Sequence, residues 1–157
     1  MNKFEVKSIE QMIYSYPNIP YEYKNDEYIQ IIFITRKKYD YPFVPLLNLD
    51  FDDVTKEYCP PGTKQVGKKH IKQIIEVLPK IKAASLVYVC CDAGISRSPA
   101  VAKALAHYLG EIESFTALSY KYPFANHDVF EYILLELRRN TKPLTSKEFK
   151  KIMRSLQ

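Results

Sequence analysis

Val89-Cys90-Cys91-Asp92-Ala93-Gly94-Ile95-Ser96-Arg97-Ser98-Pro99 reads as the junction of a strand and a helix. Upstream, Ser85-Leu86-Val87-Tyr88-Val89-Cys90 is a short apolar run rich in β-formers, which predicts a buried strand. Downstream, Val101, Ala104, Leu105, Tyr108 and Leu109 recur at helical spacing, and Gly110 marks the stop. Between them lies a loop of small residues, with Ser98 and Pro99 as the expected N-cap and first helical position. The free N–H groups of such a loop and helix start make a concave anion site. Gly94 permits positive φ and close backbone approach. Arg97 can clamp a tetrahedral oxyanion with two parallel N–H groups. Cys91 lies at the base of this cradle, where positive surroundings favour a reactive thiolate. The loop lacks the Gly-Lys-Ser/Thr ending of a nucleotide-binding loop.

Outward from the junction, strands and helices alternate. Tyr28–Thr35 and Phe43–Leu49 read as further strands, the second leading into the acidic turn Asp50-Phe51-Asp52-Asp53. Pro60-Pro61-Gly62 marks a loop. Ile71, Ile74, Ile75, Leu78 and Ile81 predict a helix that Pro79 should kink or end. Phe130, Ile133, Leu134 and Leu137 predict another, with Asn126 as its cap and Asp128 in its first turn. An amphipathic segment, Lys147–Leu156, is the last element. The alternation predicts an α/β fold over residues 1–157: one compact domain, a central, mostly parallel sheet flanked by helices, and ligands beyond the carboxyl ends of the strands.

The composition narrows the function. In 157 residues no apolar run approaches the roughly 18 needed to span a bilayer. The N-terminal Met1–Lys7 carries charges where a signal peptide needs an apolar core, so the expected setting is cytoplasmic. Cys59, Cys90 and Cys91 make no disulfide framework and are expected as thiols. A net charge of +5 favours anionic partners, although a lysine-rich surface also serves solubility alone. His70, His107 and His127 show no ligand spacing and Cys90-Cys91 is not a Cys-x-x-Cys pair, so no metal and no cofactor is expected. The cluster Tyr14, Tyr16, Tyr21, Tyr23 and Tyr28 is expected on the exterior rather than lining a pocket.

Cys91-Asp92-Ala93-Gly94-Ile95-Ser96-Arg97-Ser98 resembles the phosphate loop of cysteine-dependent protein tyrosine phosphatases, most closely the dual-specificity branch with its Gly-x-Ser-Arg-Ser ending. The resemblance extends more weakly to Leu47–Val54 and to the helix over 126–139. It implies a phosphatase acting on phosphotyrosine, and also phosphoserine or phosphothreonine, of proteins through a cysteinyl-phosphate intermediate. Cys91 would be the nucleophile. Asp92, Ala93, Gly94, Ile95, Ser96 and Arg97 would hold the phosphate, and Ser98 would help the thiolate leave. The family has histidine before the nucleophile, whereas this chain has Cys90. The same loop also suits an RNA 5′-phosphatase, a phosphoinositide phosphatase or a phosphate-binding module without turnover. Arsenate reductases of the small-acid type carry such a loop near the N-terminus, unlike position 91 here.

The family also supplies an aspartate as general acid, from the loop after the strand upstream. In this chain that loop is Leu49-Asp50-Phe51-Asp52-Asp53-Val54. Asp53 is the first choice by the resemblance, because Phe51-Asp52-Asp53 best matches the family's pattern of an apolar residue two positions before the acid. Asp52 is the alternative and Asp50 the third. Mutual repulsion and strand alternation should turn one or two of them outward. The expected partner is a phosphorylated protein or another phosphate monoester, met by a monomer, with nucleic acid as a less favoured partner.

Overall fold

The carboxyl ends of the strands form one row across the sheet, and that row decides where chemistry can sit. A computed structural model describes residues 2–24 and 28–141, together with Lys147 and Arg154. The chain runs β1 (Phe4–Ser8), α1 (Ile9–Ser15), β2 (Ile29–Ile34), β3 (Leu47–Leu49), α2 (Lys68–Ala83), β4 (Leu86–Cys91), α3 (Arg97–Tyr108), α4 (Ile112–Lys121) and α5 (His127–Asn140). The strands form one sheet in the order β1-β4-β2-β3, with every neighbouring pair parallel. Ser8 pairs with Cys91, Cys91 with Ile34, and Ile34 with Leu49. Thr35, Asp50 and Asp92 therefore follow directly after neighbouring strand ends.

Alternation along β4 divides its side chains between two cores. Val87, Val89 and Cys91 join the larger cluster, which includes Ile74 and Ile81 of α2, Leu105 of α3 and Ile133 of α5. Cys90 faces the other way, into a smaller cluster with Ile9 and Met12 of α1 and Phe33 of β2. Burying each of the large aliphatic side chains contributes about 1.5–3 kcal/mol of transfer free energy. With helices on both faces, β2 is apolar almost throughout, as buried parallel strands are.

Several expectations are corrected in detail. Ser96, not Ser98, is the N-cap of α3, so Arg97 opens the helix and Pro99 lies within its first turn, where an N–H would lack a partner anyway. Pro79 does not end α2, which continues to Ala83, holding Ile81 fully buried in the core. The strand expected over Phe43–Leu49 is confined to Leu47–Leu49, because Pro45 offers no N–H to a ladder. Asn126 does cap α5, its side-chain oxygen accepting from Val129 N. Three elements, β1, α1 and α4, were not expected. The segment 147–156 lies outside the described residues apart from Lys147 and Arg154. No helix among the described residues is long and apolar enough to cross a membrane.

Candidate active site

Cys91 ends β4 with its side chain turned toward the start of α3, and it is buried. Gly94 N donates to Cys91 Sγ at 3.2 Å, and Ser98 Oγ lies 3.1 Å from the same sulfur. Ser98 is fully buried, so its hydroxyl is committed to this contact rather than to solvent. The loop can close around the sulfur because Gly94 adopts φ +73. A Cβ on Gly94 would stand 2.5 Å from Ser8 N of β1, so the position demands glycine for space as well as for dihedral angle.

Arg97 lies largely under the surface. Its Nη1 donates to the carbonyl of Phe51 at 2.8 Å, and its Nη2 donates to Asp92 Oδ2 at 2.9 Å. A guanidinium has five N–H groups, so up to three remain for an oxyanion. The other carboxylate oxygen, Asp92 Oδ1, accepts from Thr35 Oγ1 and from Tyr39 OH, each at 2.7 Å. Burial pushes Asp92 up, but hydrogen bonds from Thr35, Tyr39 and Arg97 together hold it below its usual range. Burial and the bond to Asp92 push Tyr39 up to about 12, so the phenol keeps its proton and donates it. Ala93 and Ile95 are exposed on the outside of the loop.

The three acidic-turn aspartates face different partners. Asp50 accepts from Lys64 Nζ at 2.6 Å and from His70 Nε2 at 3.1 Å. The tautomer of His70 is fixed by its other nitrogen, Nδ1, which accepts from Gly67 N at 2.9 Å. Asp52 pairs with Arg36 at 2.7 Å and accepts from Lys64 N at 2.7 Å. Only Asp53 touches the loop of Cys91. Its Oδ1 accepts from Ser96 Oγ and from Asn126 Nδ2, both at 2.8 Å. Asn126 thus serves α5 as a cap and the acidic turn as a tether, since its Nδ2 also donates to Val54 O at 3.0 Å.

No protein-family model matches the chain, and no curated protein matches it in sequence. Among solved structures there are chains similar to it over most of their length. One is that of Tk-PTP in the active form, with 16% identity over 88% of this chain and 91% of that one and a TM-score of 0.47. Another is a leucine-rich-repeat and phosphatase-domain protein from Entamoeba histolytica, with 15% identity over 91% and 93% and a TM-score of 0.41. Likeness at this level carries nothing about activity, and the chemistry is read from the residues themselves.

Two further site residues carry almost no local signal in the sequence. Thr35 and Tyr39 reach Asp92 from the loop after β2; the end of an apolar run was their only signal. Of the tyrosine cluster, Tyr21 is strongly exposed as expected and Tyr16 packs against Phe43, whereas Tyr14, although exposed, also lines a groove. Tyr14 borders a groove of about 840 Å³ that touches Ala93, Gly94 and Ile95 on the outer side of the loop. Cys90, standing where the resembling family has histidine, is a buried thiol pushed up to about 12 by burial, on the sheet face opposite Cys91. Among the described residues no group of three or more His, Cys, Asp or Glu is placed to hold a metal ion.

Proposed function

We propose that this chain is a cysteine-dependent phosphatase of phosphate monoesters, with phosphotyrosine of proteins as the leading substrate class and phosphoserine or phosphothreonine as its extension. The observation that carries the reading is the convergence of Gly94 N–H and the Ser98 hydroxyl on the Cys91 sulfur, at the mouth of α3. Groups fixed this close to the sulfur hold it in place for attack without reorganisation during the reaction.

In the first step Cys91 Sγ attacks phosphorus. The S–P bond forms as the P–O bond to the leaving group breaks. Arg97 and the loop N–H groups bind the equatorial oxygens, where charge is greatest. Asp53 gives its proton to the departing oxygen. In the second step water attacks phosphorus, Asp53 takes a proton from it, and the S–P bond breaks to inorganic phosphate and thiolate. Ser98, within hydrogen-bond reach of the sulfur, stabilises the thiolate as it leaves. Asp53 is supported as the acid by its contact with Ser96 of the loop, which neither Asp50 nor Asp52 shares.

Turnover of an aryl phosphate by Cys91→Ser and Cys90→Ser tests the reading. Cys91→Ser is expected to lose activity by more than about 10³-fold while still binding inorganic phosphate, because an alcohol at neutral pH is a far weaker nucleophile than a thiolate. Cys90→Ser should retain turnover. The reverse pattern overturns the assignment of the nucleophile. Phosphate binding in a wild-type chain that turns over none of the peptide, phosphoinositide or RNA substrates would leave a binding module instead.

A further inference from the structure

Within the loop, a carboxylate beside an oxyanion site is a liability, because it cancels part of the charge that attracts the substrate. Asp92 is nevertheless held there by three side chains. Its Oδ1 takes hydrogen bonds from Thr35 and Tyr39, and its Oδ2 takes one from Arg97 Nη2. Thr35 is almost fully buried at the end of β2, and its hydroxyl also accepts from Lys37 N at 3.0 Å, so the anchor is itself anchored. Arg97 is held from a second side by the carbonyl of Phe51. Two fixed acceptors on two different guanidinium nitrogens define the plane of the group, which one acceptor could not do.

We propose, resting on the phosphatase reading above, that Asp92 is a positioning residue that sets the plane of Arg97 for the transferring phosphoryl group, with Thr35 and Tyr39 holding Asp92 in turn. The charge it cancels is exchanged for orientation. Orientation matters most where the phosphoryl group flattens and its equatorial oxygens spread, and less in a tetrahedral ground state. Tyr39 extends the control to the loop between β2 and β3, so that the fixed position of that loop is read at Arg97.

Asp92→Asn isolates the contact. The amide oxygen can still accept from Thr35 and Tyr39, while the amide nitrogen presents N–H groups to a guanidinium that also only donates. We expect kcat on an aryl phosphate to fall roughly 10- to 100-fold. Affinity for vanadate, which mimics the five-coordinate transition state, should fall by about tenfold or more, and affinity for tetrahedral tungstate by less than about threefold. Tyr39→Phe and Thr35→Val should shift the vanadate-to-tungstate ratio in the same direction by smaller amounts, and they carry the comparison alone if Asp92→Asn does not fold. Equal loss of both oxyanions, or kcat within about twofold of wild type, overturns the positioning role. If the wild-type chain binds tungstate but hydrolyses no phosphate ester, the phosphatase reading fails, while the ratio of the two affinities still decides the role of Asp92.

Discussion

Asp50, Asp52 and Asp53 are near neighbours in sequence, yet their surroundings fit them for different work. A general acid must carry a proton at the pH where the enzyme turns over. Asp50 is held at about 2 by the hydrogen bond from Lys64, with His70 and Lys69 adding to it. Burial raises Asp52, but the Lys64 N–H and the Arg36 guanidinium outweigh it and hold the carboxyl below its usual range. Both are kept ionised, Asp50 chiefly by the Lys64 ammonium and Asp52 by a backbone N–H together with a guanidinium. Asp53 instead meets only uncharged donors, a hydroxyl and an amide on Oδ1, and one of them belongs to the loop that holds Cys91. Asp53→Asn should therefore slow a poor leaving group, such as an alkyl phosphate, by roughly 10²–10⁴-fold and a nitrophenolate far less. Rate–pH profiles on the two substrates make the comparison, and the variant should flatten the limb that reports the acid. The same signature in Asp52→Asn, with Asp53→Asn unaffected, would move the role to Asp52.

At the scale of elements, the loop was legible because its chemistry is local, and what supports it was not. Cys91, Gly94, Arg97 and Ser98 follow one another in the chain, so strand, turn and helix start could be read in a line. Asp92 was read as a phosphate ligand, and its partners Thr35 and Tyr39 come from a segment more than fifty residues away. No local pattern encodes that meeting. The missed β1 and α1 did leave signals: Phe4 and Val6 alternate with Glu5 and Lys7, and Ser8-x-x-Gln11 is a capping box whose two reciprocal bonds are present at 3.1 and 3.0 Å. The N-cap of α3 lies two residues before Ser98, which is a good cap by type but is held at the Cys91 sulfur. The dependence of the loop on β1 is testable. Gly94→Ala places a methyl against Ser8 N, Lys7 C and Ser8 Cα, at 2.5, 2.8 and 3.0 Å, and strains a residue at φ +73. The variant should lose at least about 2 kcal/mol in urea unfolding and bind inorganic phosphate much more weakly. An alanine variant of wild-type stability would mean that β1 can move away from the loop.

For the whole molecule, the carboxylates that organise the site also set its response to acid. Asp50, Asp52 and Asp92 are each held below the ordinary 3.8 in the folded chain. The unfolded chain releases them to that value, so it binds more protons as pH falls through this range. Their contribution to stability is accordingly full above about 4 and is lost on the way down. For Asp50 the window is the clearest, from 3.8 unfolded to about 2 folded. Asp50 joins the acidic turn to α2 through His70 and to the following loop through Lys64, so its protonation loosens two connections at once. Urea unfolding of the wild type and of Asp50→Asn, followed from pH 7 to pH 2, tests this. The variant should be the less stable at pH 7, and the two curves should converge between pH 4 and pH 2 as the wild-type carboxylate takes up its proton. Curves that stay parallel over that range would show that the ion pairs of Asp50 do not contribute to folding, leaving Asp52 and Asp92 as the carboxylates behind the acid limb.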